Sequence, residues 1–141
     1  MGAQGVASMW LLKTEPGDYS YDDLEREGRG RWDGVANPVA LRNLRAMKKG
    51  DRVLVYHTGG EKAVVGTAEV VREAYPDPKA KDDRRVVVDI EPRGRLARPV
   101  TLAEIKAMAE FAGSPLVRQG RLSVVPIGAA QWKAIETRGR K

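Results

Sequence analysis

Trp32-Asp33-Gly34-Val35-Ala36-Asn37-Pro38 packs an indole, a turn and a helix start into consecutive positions. Glycine accepts positive φ without steric cost, so Asp33-Gly34 reads as a turn, and Asn37-Pro38 reads as the N-cap and first position of a helix. The turn holds Trp32 just ahead of a helix N-terminus with spare backbone donors. There the indole offers the wall of a pocket for a flat polar ligand such as a nucleobase. A plug in the core under a loop is the other reading of Trp32, and from the residues alone both stay open.

Outward from that stretch, a buried strand is expected over 10–14, ended by the turn residues Glu15-Pro16-Gly17-Asp18. Ser20 with Asp23 reads as a capping box for a short helix over 21–27, closed by Gly28, and a basic loop then delivers the chain to Trp32. After Pro38 the helical period runs to Lys49. Leu41, Leu44 and Met47 fall on one side, Arg42, Arg45 and Lys49 gather on the other, and Gly50 is the stop. Strands follow over 53–58 and 63–71 as a hairpin, in which the small Gly66 and Ala68 leave space beside the sheet. Residues 75–85 read as a loop and 86–90 as a strand, with Arg93, Arg95 and Arg98 decorating the next connection. Thr101 with Glu104 opens a further helix. Ser114-Pro115 begins a turn, 122–126 is the last strand, and 129–136 is a final helix docking Trp132 and Ile135. Residues 1–8 read as a flexible leader and 137–141 as a basic tail. The fold class is α+β, with about five short strands in a curled sheet or small barrel, since closure is the usual way to protect short edges.

The chain has 141 residues, the size of one domain, and no apolar run long enough to span a membrane. A cytoplasmic protein without a membrane partner is expected. With no cysteine and the single histidine His57, disulfides, thiolate zinc sites, cysteine nucleophiles and multi-histidine metal sites are excluded. Gly28, Gly30 and Gly34 lack the spacing of a phosphate or dinucleotide loop, so no cofactor is expected, and no serine sits in a nucleophile elbow. Asp33 and Glu15 are the carboxylates that folding could bring together as an acid and base, although capping or solvated roles suffice for each. The net charge of +6 favours a polyanionic partner, and most of the surplus lies in the last third of the chain.

The remaining chemistry is recognition. Trp32 and Tyr56 offer π faces, Thr14, Asn37, Gln119 and Ser123 offer donors and acceptors, and Lys13, Arg42, Arg45 and Arg118 offer cations for phosphates.

Five segments carry a resemblance. Trp10-Leu-Leu-Lys-Thr-Glu-Pro16, Trp32-Asp-Gly-Val-Ala-Asn37, Met47-Lys-Lys-Gly-Asp-Arg-Val-Leu-Val-Tyr-His57, Gly66-Thr-Ala-Glu-Val-Val-Arg-Glu-Ala-Tyr-Pro76 and Leu116-Val-Arg-Gln-Gly-Arg-Leu-Ser-Val124 resemble, in that order, the EVE domain family of the PUA-like superfamily. The resemblance spans about residues 9–136. It implies a PUA-like small curled β-barrel with peripheral helices, kin to the YTH readers of N6-methyladenine, and a non-catalytic pocket for a modified base of DNA or RNA. Trp32, Asn37 and Tyr56 would line that pocket, Thr14, Gln119 and Ser123 would meet the edge of the base, and Lys13, Arg42, Arg45 and Arg118 would hold the backbone. The chain departs from the family at Thr14, where Ser is usual, at Ala36, where Arg is usual, and in a short 76–85 segment. Ligand choice is expected to differ at Ala36. The alternatives are a small-molecule sensor or a protein-interaction module with an incidental basic face.

Overall fold

The computed structural model describes residues 8–82 and 84–140. The leader expected over 1–8 therefore lies outside it except for Ser8, whose backbone N–H donates to Asp51.

Six strands form one mixed sheet in the order β2-β5-β4-β3-β1-β6. They are β1 (Met9–Thr14), β2 (Gly30–Trp32), β3 (Arg52–His57), β4 (Ala63–Pro76), β5 (Val86–Thr101) and β6 (Val124–Ile127). Only β1 and β3 run parallel, with Trp10 opposite Val53 and Lys13 opposite Tyr56. A parallel pair needs a long crossover. Here it holds α1 (Tyr21–Glu27), β2 and α2 (Pro38–Ala46).

The sheet curls but does not close, so the expected fold takes its curled-sheet form and not that of a closed barrel. Its outer strands β2 and β6 are unpaired with each other, and α2 lies across the gap, touching β5 on one side and β6 on the other. Asn43 donates its side-chain amide to the Val124 carbonyl at 2.8 Å, so the helix also satisfies part of the open edge. Curl comes from β4 and β5, whose long pairing slips register between Val64 and Gly66 and again between Val70 and Arg72. Because β5 runs to Thr101, Arg93, Arg95 and Arg98 sit on a strand, not on a connection.

The helix starts follow their caps. Ser20 and Asp23 form a reciprocal capping box, as do Thr101 and Glu104 ahead of α3 (Leu102–Lys106), and Asn37 Oδ1 accepts from Val39 N and Ala40 N. The helix ends differ from expectation. α2 stops at Ala46 because Met47 turns to extended backbone and buries its side chain, so Lys49 leaves the basic stripe and donates its backbone N–H to Glu73. After Ser114 the chain makes the short α4 (Pro115–Arg118). The last helix, α5 (Ala129–Arg138), runs past the expected boundary. Residues 137–139 are thus no tail: Arg98 donates to the Arg138 carbonyl, and Gly139 is buried against Leu96.

The space expected beside Gly66 is filled. A Cβ there would stand 2.5 Å from the Tyr21 ring, whose hydroxyl donates to the Thr67 carbonyl at 2.7 Å. Glycine at this position admits the first residue of α1 onto the sheet. Asp51, only 3% exposed, accepts from Trp10 Nε1 at 2.9 Å and from the backbone N–H groups of Ser8 and Lys48, and so ties β1, the α2 exit and the start of β3 together.

Candidate nucleobase cleft

The open end of the crossover forms a cleft of about 670 Å³. Lys13 and Thr14 enter it from the end of β1, Asp18 and Tyr19 from the turn that follows, and Arg31 and Trp32 from β2. The segment Asp33 to Ala36 makes one wall, Ser123 faces it from ahead of β6, and Lys79 and Glu27 complete the rim. Its size is that of a ligand pocket.

Trp32 unites its two readings. It is 6% exposed and belongs to the core, and the remaining exposed part borders the cleft. Tyr19 braces it edge to face, with ring centroids 6.1 Å apart and planes at 86°. Tyr19 is in turn held by its hydroxyl, which donates to Glu27 at 2.7 Å, and by its carbonyl, which accepts from Thr14 Oγ1 at 2.6 Å. Burial, then the Glu27 carboxylate, raises the Tyr19 hydroxyl well above the usual tyrosine range, so it stays a neutral donor. Gly30 makes room for it: a Cβ there would lie 2.7 Å from the Tyr19 hydroxyl.

Lys13 Nζ donates to the Gly120 carbonyl at 2.9 Å and lies 5.5 Å from the centre of the Tyr56 ring. Burial lowers its pKa below the ordinary lysine value. The charged side chains around the cleft are balanced, with Lys13, Arg31 and Lys79 against Asp18, Glu27 and Asp33.

Of the residues singled out from the sequence, the cleft brings together Trp32, Thr14, Ser123 and Lys13. Tyr56 is not among its lining residues: it is 3% exposed, beneath Lys13, on a strand buried on both faces. Asn37 caps α2 and, with Gln119 and Arg118, lines a separate small cleft. Arg45 lines a third, where it donates to the Arg84 carbonyl, and Arg42 is exposed on α2. Glu15 is engaged by Gly17 N and Thr58 Oγ1 and does not join Asp33 in the cleft. The sequence reading missed Tyr19, Arg31 and Lys79. The Gly28-Arg29-Gly30 spacing was the available signal for Tyr19, because a buried glycine marks a close approach.

The histidine is committed to structure. His57 Nε2 accepts from Tyr21 N at 3.0 Å, which puts its proton on Nδ1, facing Glu61 at 2.7 Å. Among the described residues no group of three His, Cys, Asp or Glu side chains is placed to hold a metal ion.

A curled six-stranded mixed sheet with peripheral helices is a PUA-like fold, shared with EVE and YTH domains. The EVE domain model matches residues 8–138, and the chain belongs to that family. Human thymocyte nuclear protein 1 is 31% identical over 159 residues, covering 88% of this chain and 70% of the relative. Rpa0253 from Rhodopseudomonas palustris superimposes with a TM-score of 0.88 at 41% identity, covering 94% of this chain and 93% of its own. The human THYN1 protein, solved in complex with 5-methylcytosine-containing DNA, gives 0.83 at 28% identity over 96% and 98% of the two chains. The YTH domain of Zygosaccharomyces rouxii MRB1, at 12% identity and a TM-score of 0.62 over 96% and 88%, shares the fold.

Proposed function

We propose that this chain is a non-catalytic nucleic-acid reader that takes a modified base, flipped out of its strand, into the cleft beside Trp32. The observation that carries the reading is the braced indole. Tyr19, itself anchored by Thr14 and Glu27, braces Trp32, so the part of the indole that borders the cleft is held in place before any ligand arrives. Base stacking on an aromatic contributes about 1–3 kcal/mol. Ser123 and the backbone of Asp33 to Ala36 surround the edge of a base stacked there, and Lys13, Arg31 and Lys79 stand ready for its phosphates. The relative solved with 5-methylcytosine DNA supports the same ligand class for this chain.

The test compares a strand carrying one 5-methylcytosine with its unmodified twin, and RNA carrying N6-methyladenosine with its own twin, across a salt series. One modified strand should bind preferentially at every salt concentration, while overall affinity falls with salt as phosphate contacts release counterions. Trp32→Phe, which spares the core, should cut the preference, and Trp32→Ala should remove it. Equal binding of modified and unmodified strands in both series rejects the reading. The balanced charge of the cleft favours a second reading, a sensor of free modified nucleosides. That reading requires the nucleoside alone to bind as well as the strand and with little salt dependence.

A further inference from the structure

Resting on the base-reading function, we propose that the neighbouring cleft between Asn37 and Leu122 is a subsite for the nucleotide adjacent to the flipped base, so that the domain reads two consecutive nucleotides. This cleft, about 340 Å³, is lined by Asn37, Val39, Arg118, Gln119, Arg121 and Leu122. Two segments of the chain contribute residues to both clefts. The chain crosses from one to the other twice, at Ala36-Asn37 and at Leu122-Ser123, with Ala36 and Ser123 on the base side and Asn37 and Leu122 on the other.

Lys13 sits at that boundary. It lines the base cleft, while its ammonium donates to the carbonyl of Gly120, a residue of the second cleft, at 2.9 Å. One of its three donors is used there, which leaves two for the phosphate joining the two nucleotides.

The chemistry of the second cleft suits a nucleotide. Val39 is the one large hydrophobic residue classed as exposed among the described residues, at 37%, and with Leu122 it offers an apolar surface for a base face. Among the described residues neither Arg118 nor Arg121 is in an ion pair, whereas Arg26, Arg29, Arg52, Arg84, Arg93, Arg95, Arg98 and Arg138, half of the arginines of the chain, have carboxylate partners. Two exposed guanidinium groups that line this cleft offer donors to an anion. The Gln119 amide and the Asn37 amide nitrogen, whose Oδ1 is spent on the α2 cap, can read a base edge. The subsite also gives the exposed Val39 and the unpaired Arg118 and Arg121 a purpose that the base cleft leaves unassigned.

The experiment measures binding of four probes: 5-methyldeoxycytidine alone, the dinucleotides with one thymidine on its 5′ or its 3′ side, and the unmethylated dinucleotide. The same set is run with N6-methyladenosine in RNA. In the series that shows methyl preference, one of the two dinucleotides should bind about tenfold tighter than the nucleoside. That gain should vanish in the Arg118→Ala/Arg121→Ala double variant and shrink in Gln119→Ala. These side chains are exposed and unpaired, so the variants should keep the fold, as circular dichroism will report. Methyl preference with no gain from either neighbour, or a gain that survives in the double variant, overturns the subsite and leaves the base reading intact. Absence of methyl preference in both series overturns the two together.

Discussion

The rings of Tyr19 and Trp32 meet edge to face at 6.1 Å and 86°, and the Tyr19 hydroxyl is itself anchored on Glu27 at 2.7 Å. The indole at the cleft is therefore braced by a residue from a different segment. Tyr19→Leu should loosen Trp32, lower stability by about 1 kcal/mol and weaken the modified strand about three- to tenfold. Tyr19→Phe keeps the ring and should stay within about twofold, because only the rim hydrogen bond is lost. Trp fluorescence and equilibrium binding check both, and a Tyr19→Phe loss as large as that of Tyr19→Leu would show that the hydroxyl, not the ring, carries the effect.

Gly66 receives the Tyr21 ring, so Gly66→Ala should destabilise by about 2 kcal/mol or more, because its Cβ would stand 2.5 Å from ring carbon. Urea unfolding measures it. The double variant Gly66→Ala/Tyr21→Ala should cost less than the sum of the two single changes, since the clash exists only when both groups are present.

Asp51→Ala should cost about 3 kcal/mol. Truncation strands the Trp10 indole N–H inside the core and frees the backbone donors of Ser8 and Lys48, while the residue itself is 3% exposed. Thermal unfolding should show the drop. Trp10→Phe in the Asp51→Ala background should recover part of it by removing the orphaned donor.

Glu104 gives stability an acid limb. Its carboxylate bonds to the Arg98 guanidinium, the Thr101 backbone N–H and Arg138, and these hold its pKa at about 2, below the ordinary 4.5. A depressed folded-state pKa adds stability that is fully present above pH 4.5 and is lost as pH falls from there through about 2. Glu104→Gln should accordingly be less stable than the parent at pH 7. The gap should narrow between pH 4.5 and about 2, and unfolding curves across that window would contradict this if the gap stayed constant.

The local signals were legible because they are settled within a few residues. Ser20 with Asp23, Asn37 with Pro38 and Thr101 with Glu104 start helices wherever the chain goes, since each side chain caps donors one turn away. Alternation along β3 put Tyr56 opposite Val55, yet it could not say which face meets the cleft. The structure turns Tyr56 under Lys13 and brings Tyr19 to Trp32 instead. Residues 91–101 looked like a connection because arginine, proline and glycine interrupt them, and they form strand because β4 lies alongside.

The sequence by itself determined the α+β class, the helix starts, the exclusion of thiol and multi-histidine chemistry, and the place of Trp32 ahead of a capped helix. Tertiary structure decided whether the sheet closes, which arginines are engaged by a carboxylate, and how the candidate residues are divided among separate clefts. Caps and turns are bonds between near neighbours, whereas a cleft is the space left where distant segments stop packing. At Ala36-Asn37 and Leu122-Ser123, only the meeting of two segments that lie far apart in the chain decides which side chain faces which ligand.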